Sequence, residues 1–312
     1  MKRAESVDII LATYNGSYYI EEQLKSLIDQ TYSNTHIYIT DDGSTDGTLD
    51  IVQSVVEKYK ISNKVSILPF RDNELKGPAN NFIYGLSFSK SKYIMFCDQD
   101  DIWLNNKIEV QLGDILKLDN TRPAISFCDA SLVDKSLNQI HPSFINSEGF
   151  NVDAGIQMQN LVFQNITPGC CMIFNDKLRD LFFSSPNRKH IVMHDWYLMI
   201  LCSIYGSISY TDSPLMLYRQ HGRNQVGASK NLDLSSVSKI KYKVYQSYRN
   251  HLNAKCQAVE IANSLPSVNI NCSFTLLTSV FNKSYFTRLL TLIKLKVKKS
   301  SFLKTLVLYL YV

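Results

Sequence analysis

The chain has 312 residues, of which 45 % are hydrophobic and 20 % charged, with 12 glycines and 8 prolines. At about 100–200 residues per domain, this length predicts two domains or one large domain with an appendage. The composition excludes a chain whose main state is disordered, and equally a collagen-like or low-complexity one. The net charge of +5 is unevenly placed. Residues 229–312 hold 13 Lys/Arg against 2 Asp/Glu, a local +11, which leaves residues 1–228 at −6; Glu260 is the last acid. An acidic front and a basic tail are two physical objects.

Seven cysteines (97, 128, 170, 171, 202, 256 and 272) form no CxxC pair. With no secretory leader, the odd count predicts a reducing compartment. No stretch reaches the roughly 18 apolar residues of a spanning helix.

In chain order, Val7 to Ala12 is an apolar strand broken only by Asp8, followed by Ile20, Leu24, Leu27 and Ile28 at helical spacing. Ile37 to Ile39 is a second strand. Leu49, Val52, Val56 and Tyr59 repeat as a helix, with caps offered by Ser44 to Asp46. Val65 to Leu68 is a third strand, Phe82 and Leu86 lie on a short helix, and Tyr93 to Cys97 is a fourth strand. Strands apolar on both faces, alternating with helices, predict a mostly parallel sheet covered on both sides. A strand at Ala124 to Cys128 continues it. Residues 131–165 read as loop, His194 to Ile204 as a helix, Ser207 to Tyr210 as a strand, and the chain from 235 onward as basic helix.

In open parallel sheets ligands bind beyond the carboxyl ends of the strands. Here those ends carry Thr13-Tyr14-Asn15-Gly16, Asp41 to Gly47, and Asp98-Gln99-Asp100-Asp101. Asp46 reads as a helix cap. Asp98 and Asp100, two apart after an apolar strand, repel unless a cation or donors sit between them, and Mg²⁺-like ions take such oxygens together with substrate phosphates. Neither GxGxxG after the first strand nor GxxxxGK[ST] anywhere is present, against dinucleotide dehydrogenases and P-loop NTPases.

Taken together, Ala12 to Asn15, Asp41 to Asp46 and the Asp98-Gln99-Asp100-Asp101-Ile102-Trp103 run resemble family 2 glycosyltransferases of the GT-A fold, an α/β nucleotide-diphospho-sugar transferase architecture. The Asp-Gln-Asp-Asp-x-Trp form is similar to bacterial rhamnosyltransferase-like members. The resemblance covers residues 5–228, with 5–105 as the nucleotide-sugar half and 106–228 as the acceptor half; 229–312 is a basic, mainly helical extension.

The resemblance implies an inverting, metal-dependent transfer of one sugar from a nucleotide-diphosphate sugar (dTDP-rhamnose or a UDP-hexose) to a lipid-linked glycan of O-antigen or capsule. By it, Thr13, Tyr14, Asn15 and Asp42 contact base and ribose, while Asp41 supports the turn. Asp98-x-Asp100 matches the family's DxD: Asp100 ligates Mg²⁺ or Mn²⁺, and Asp98 contacts the ribose or a metal-bound water. His194-Asp195-Trp196 matches the second acidic motif, with Asp195 as base; a helix N-cap is its plainer role. Trp196 reads as acceptor contact or as packing, Trp103 as core. In Tyr218 to Asn224, His221 is a candidate metal ligand or diphosphate contact and Arg219 a phosphate contact; a solvated basic loop explains both equally. Asn80 and Asn81 read as donor-loop contacts or helix caps, and Cys170-Cys171 as packing. The Gln-x-x-Arg-Trp of processive synthases is absent.

Lysines and Arg288 interleaved with Leu, Ile, Phe and Tyr over 282–312 suit an anionic membrane surface, with packing on the catalytic domain or a partner protein as alternatives. Nucleic acid is disfavoured by the acidic front. These expectations place the chain in the cytoplasm, peripheral at the inner face of the membrane. A non-catalytic nucleotide-sugar scaffold or sensor is the competing reading.

Overall fold

In the computed structural model, residues 5–71, 76–185, 191–221, 252–263 and 272–311 are described. Nine strands form one sheet in the order β3-β2-β1-β4-β8-β6-β9-β5, with β7 on β6. The strands are β1 Val7–Thr13, β2 Thr35–Asp41, β3 Val65–Ile67, β4 Tyr93–Cys97, β5 Ile102–Trp103, β6 Ala124–Val133, β7 Gln139–His141, β8 Met172–Asn175 and β9 Ser207–Arg219. β3, β2, β1 and β4 pair in parallel. β8 runs antiparallel to both β4 and β6, and β9 is parallel to β6. All the longer strands except β8 therefore point one way, and the carboxyl ends of β1, β2, β4, β6 and β9 share one edge with the start of β8.

Alternation along β1 divides the core. Ile9 and Leu11 face helices α1 (Ile20–Ile28), α2 (Thr48–Lys58) and α4 (Lys107–Ile115), whereas Ile10 faces α3 (Pro78–Leu86), α8 (Asp176–Ser184) and α9 (His194–Tyr205). β1 and β4 bury both faces, which is why these runs read as continuous apolar stretches. Asp8, the one break in β1, is 2 % exposed and spends its carboxylate on the Ser91 hydroxyl and on Ser89, Lys90 and Ser91 before β4.

Residues 131–165 are more ordered than their sequence suggests. β6 runs on to Val133, and three single-turn helices follow: α5 Phe144–Ser147, α6 Val152–Gly155 and α7 Met158–Leu161. Side chains of Ser143 and Asn151 cap the first two. β9 is also longer than the four residues expected. It extends to Arg219 past irregular register opposite Asp129, where Pro214 supplies no N–H to the ladder.

The tail is helical where it is described. Residues 252–263 form α10, followed by α11 Cys272–Ser279, α12 Tyr285–Lys294 and α13 Phe302–Tyr311. Ala254, Ala258, Ile261, Phe274, Leu277, Leu292, Val297 and Leu308 join the same hydrophobic cluster as α7 and α9. The expected boundary at 228/229 and residues Gly222 to Asn224 lie outside the described residues.

Candidate active site

The turn after β1 is built by side chains from its neighbours. Asp41 accepts from Gly43 N (2.9 Å), Ser44 N (2.7 Å), Ser44 Oγ (2.6 Å) and Thr13 Oγ1 (2.6 Å), so its carboxylate is consumed in holding two turns together. Asn15, at φ +47°, accepts from Thr45 N, and its own N–H donates to Ser44 Oγ. Gln99 grips Tyr14 from both sides, accepting from its N–H at 2.8 Å and donating to its carbonyl at 3.0 Å. A Cβ at Gly16 would lie 2.2 Å from Gln99 Oε1, so this close approach needs glycine. The Tyr14 ring is left 54 % exposed on a pinned backbone.

Asp46 lies one residue before the α2 N-cap, Gly47, and accepts from Thr48 N–H, Thr48 Oγ1 and Ser17 N–H; burial opposes its charge, but these hydrogen bonds win and hold its pKa at about 2. Asp42 is buried, paired with Arg71 Nη2 at 2.7 Å and accepting Gly77 N–H at 2.6 Å. Asn81 does not cap α3, whose N-cap is Gly77. It ties α3 to both central strands, donating to Thr13 O and Thr40 O and accepting from Thr40 Oγ1.

Beyond β4, acids crowd. Burial and then Asp100 raise Asp98 to about 7, with Asp195 adding to the rise and a hydrogen bond from Cys170 opposing it. Asp101 is 0 % exposed, accepts Arg219 N–H through Oδ1 at 3.0 Å, and leaves Oδ2 with no partner. Burial, then Asp100 and Asp98, push it well above the usual carboxylate range. Ligand atoms of Asp98, Asp101 and Cys170 lie within 4.8 Å of one another. The Cys170 thiol is itself held well above its ordinary value, in buried surroundings beside Asp98 and Asp101, so a hard cation finds no thiolate there. Asp100 and His221 meet directly, Oδ2 to Nε2 at 2.7 Å. A cation fits this donor set: three crowded carboxylates, one orphan buried oxygen, and an imidazole paired with the outermost acid.

Asp195 opens α9, is 5 % exposed, and accepts from Trp196 N at 2.6 Å. Burial raises its pKa to about 6 against hydrogen bonds from Trp196, Gly169 and Asn165. The Gly169–Cys171 turn links the two acidic motifs: Gly169 N–H meets Asp195, and the next residue, Cys170, meets Asp98. A Cβ on Gly169 would fall 2.9 Å from His194 Nε2, so no larger residue fits between the motifs. His194 is 3 % exposed, stacked on Phe82 (centroids 4.2 Å apart), with both ring nitrogens lacking partners; burial lowers its pKa to about 3.

At two positions the sequence left alternatives open, and the contacts bear on them. Trp196 is 8 % exposed and its indole N–H donates to Leu161 O, the packing role of the two read from its sequence. Arg219 is 2 % exposed. It donates to Asp100 O (2.8 Å), Lys135 O (2.8 Å) and Glu22 Oε2 (2.6 Å), and its guanidinium lies 4.6 Å over Tyr19, which also stacks on His221. It braces the DxD loop, a role apart from both the phosphate contact and the solvated loop read from its sequence. Sequence reasoning gave no role to Asp101, Gln99, Arg71 or Glu22. Three acids within Asp98 to Asp101 were the only visible signal among these.

Residues 8–182 match the family described as Glycosyl transferase family 2. The chain is 32 % identical over 264 residues to the dTDP-rhamnosyl transferase RfbG of Shigella flexneri, covering 82 % of this chain and 84 % of that one. It is 37 % identical over 108 residues to the Escherichia coli UDP-Glc:alpha-D-GlcNAc-diphosphoundecaprenol beta-1,3-glucosyltransferase WfaP, covering 35 % of this chain and 40 % of that one. The mannosyltransferase PcManGT of Pyrobaculum calidifontis, solved with GDP-Man and Mn²⁺, superposes with a TM-score of 0.54 over 99 % of this chain and 87 % of its own at 13 % identity, a likeness of fold. The fold is GT-A-like, the relatives are bacterial glycosyltransferases, and the scaffold reading gives way to an enzymatic one: the chain belongs to glycosyltransferase family 2.

Proposed function

We propose that this glycosyltransferase moves one sugar, with inversion, from a nucleoside-diphosphate sugar to a hydroxyl of a lipid-linked glycan in bacterial surface-polysaccharide assembly. The observation that carries the reading is Asp195, a buried carboxylate with its pKa raised to about 6, joined through the Gly169–Cys171 turn to the acids beyond β4. A base poised near neutrality takes the acceptor proton as its oxygen attacks the anomeric carbon from the face opposite the leaving group. The bond from that carbon to the diphosphate oxygen breaks, and its electron pair leaves with the nucleoside diphosphate.

Thr13, Asn15 and Asp41 shape the nucleotide edge, Tyr14 offers a ring for the base, and Asp42, with Arg71, borders the same edge. Asp100 and His221, with Asp98, are the residues we assign to Mg²⁺ or Mn²⁺, whose chemistry when bound is to neutralise charge on the leaving diphosphate. Likeness to a dTDP-rhamnosyl transferase makes dTDP-rhamnose the first donor to test, ahead of UDP-hexoses. Likeness to a transferase acting on a diphosphoundecaprenol-linked sugar supports a lipid-linked acceptor.

No helix among the described residues is long and apolar enough to cross a membrane. α12 and α13 instead expose Phe286, Leu290 and Ile293, and Phe302, Leu306 and Leu310, in rows on single helix faces among lysines, which supports peripheral binding to an anionic cytoplasmic surface. The domain division at 228/229 stands as part of this proposal. Release of nucleoside diphosphate from dTDP-rhamnose or a UDP-hexose, with Mn²⁺ and a diphospholipid-linked sugar, tests the reading. Asp195→Asn must abolish transfer while donor binding persists; equal turnover in that variant refutes the assignment.

A further inference from the structure

Away from the sheet edge, the turn between α12 and α13 closes a cavity of about 50 Å³ against α6 and α7. The turn is fixed there by the catalytic domain's amides: Lys298 N–H donates to Asn160 Oδ1 (2.6 Å), Ser300 N–H to Gln164 Oε1 (2.8 Å), and Gln164 Nε2 to Ser300 Oγ (3.1 Å). Lys304 Nζ donates to the same hydroxyl oxygen at 3.0 Å. Ser300 Oγ thus accepts twice, and its own proton is given no acceptor. Lys299, half-buried in the wall, donates its backbone N–H to Thr305 Oγ1, no protein acceptor meets its ammonium among the described residues, and no carboxylate lines the cavity.

We propose that this cavity binds a phosphate group, free or on a lipid headgroup, through the Lys299 ammonium and the Ser300 hydroxyl. Two donors without acceptors, with Lys298 and Lys304 adjacent and no competing acid, call for an anion with several oxygens. On this measure a single water needs about 10–15 Å³, so the space admits a group of several atoms, such as one tetrahedral anion. Burial and then Lys304 lower the Lys299 pKa to about 8, a cost that an anion relieves. The site lies on different elements from the DxD edge and does not depend on the transfer reaction.

The test uses the full chain. Inorganic phosphate is titrated by calorimetry, and vesicles of phosphatidylglycerol in phosphatidylcholine are bound with and without phosphate as competitor. Saturable phosphate binding that weakens about tenfold or more in Lys299→Gln is expected. If vesicle binding falls in parallel and phosphate competes, the ligand is a headgroup; if vesicle binding is unchanged, it is the free anion. Lys299→Gln binding both probes like the wild type overturns the proposal. Should that variant not fold, tungstate soaked into wild-type crystals decides by its anomalous peak: in the cavity it supports the site, elsewhere it removes it.

Discussion

Replacing Arg219 by glutamine separates a brace from a ligand contact. Its side chain makes two bonds to carbonyl oxygens, at 2.8 Å each to Asp100 and Lys135. In a buried setting these contribute about 1 kcal/mol apiece. The pair with Glu22 is short, but the Glu22 side chain is 55 % exposed, so it is discounted to about 1 kcal/mol. The cation over Tyr19 adds roughly 0.5–1 kcal/mol. Arg219→Gln is therefore expected to lose about 3–4 kcal/mol in urea unfolding at an unchanged m-value. Because the same side chain holds the Asp100 backbone and the ring beside His221, Mn²⁺ affinity read by electron paramagnetic resonance falls with it. A stability loss under about 1 kcal/mol, together with a raised KM for the donor, is the signature of a phosphate contact and refutes the bracing role.

Three further outcomes follow from the same geometry. With Asp195 at about 6, kcat/KM rises with pH as that carboxyl ionises and levels above it, and Asp195→Asn loses about 10²–10⁴-fold; a profile flat from about pH 5 to 8 contradicts the base. His194 is neutral in the fold to about 3 and titrates near 6.5 when unfolded, so the native state loses about 2 kcal/mol between pH 8 and 5 as the unfolded chain gains the proton. His194→Gln, whatever it costs in packing, shrinks that loss by the same amount, and an unchanged pH dependence sinks the claim. Phe286 and Phe302 are 73 % and 83 % exposed, and burying each ring is worth about 1.5–3 kcal/mol. The double serine variant should leave phosphatidylglycerol vesicles with at least a hundredfold weaker affinity; co-flotation equal to the wild type rejects membrane docking.

The legible parts of the fold were those that one segment determines alone. β1, β2 and β4 bury both faces, so Val7 to Ala12 and Tyr93 to Cys97 announce themselves as unbroken apolar runs. β5 is two residues long and exists only because β9 lies beside it, and β9 is interrupted by exposed Asp212 to Pro214, so neither shows its extent in sequence. The site divides in the same way. Asp98 and Asp100 stand out as paired acids directly after an apolar strand, whereas Asp195 is visible only through its match to a family motif. Arg219 reads as a phosphate contact by its place in a family-like motif, or equally as part of a solvated basic loop. Only the folded chain shows its donors taken by Glu22, Lys135 and Asp100, which lie 197, 84 and 119 residues away. For Trp196 the choice between packing and acceptor contact turned on Leu161, its indole partner 35 residues earlier in a stretch that reads as loop.

The central claim is that the outermost DxD acid and His221 together hold the divalent ion. Crystals grown with Mn²⁺ and a nucleoside diphosphate, measured at the manganese edge, test it directly. The account predicts one anomalous peak within about 2.0–2.3 Å of Asp100 and His221, with their mutual 2.7 Å contact opened to admit it. A peak seated among Asp98, Asp101 and Cys170, with the Asp100–His221 hydrogen bond intact, contradicts it.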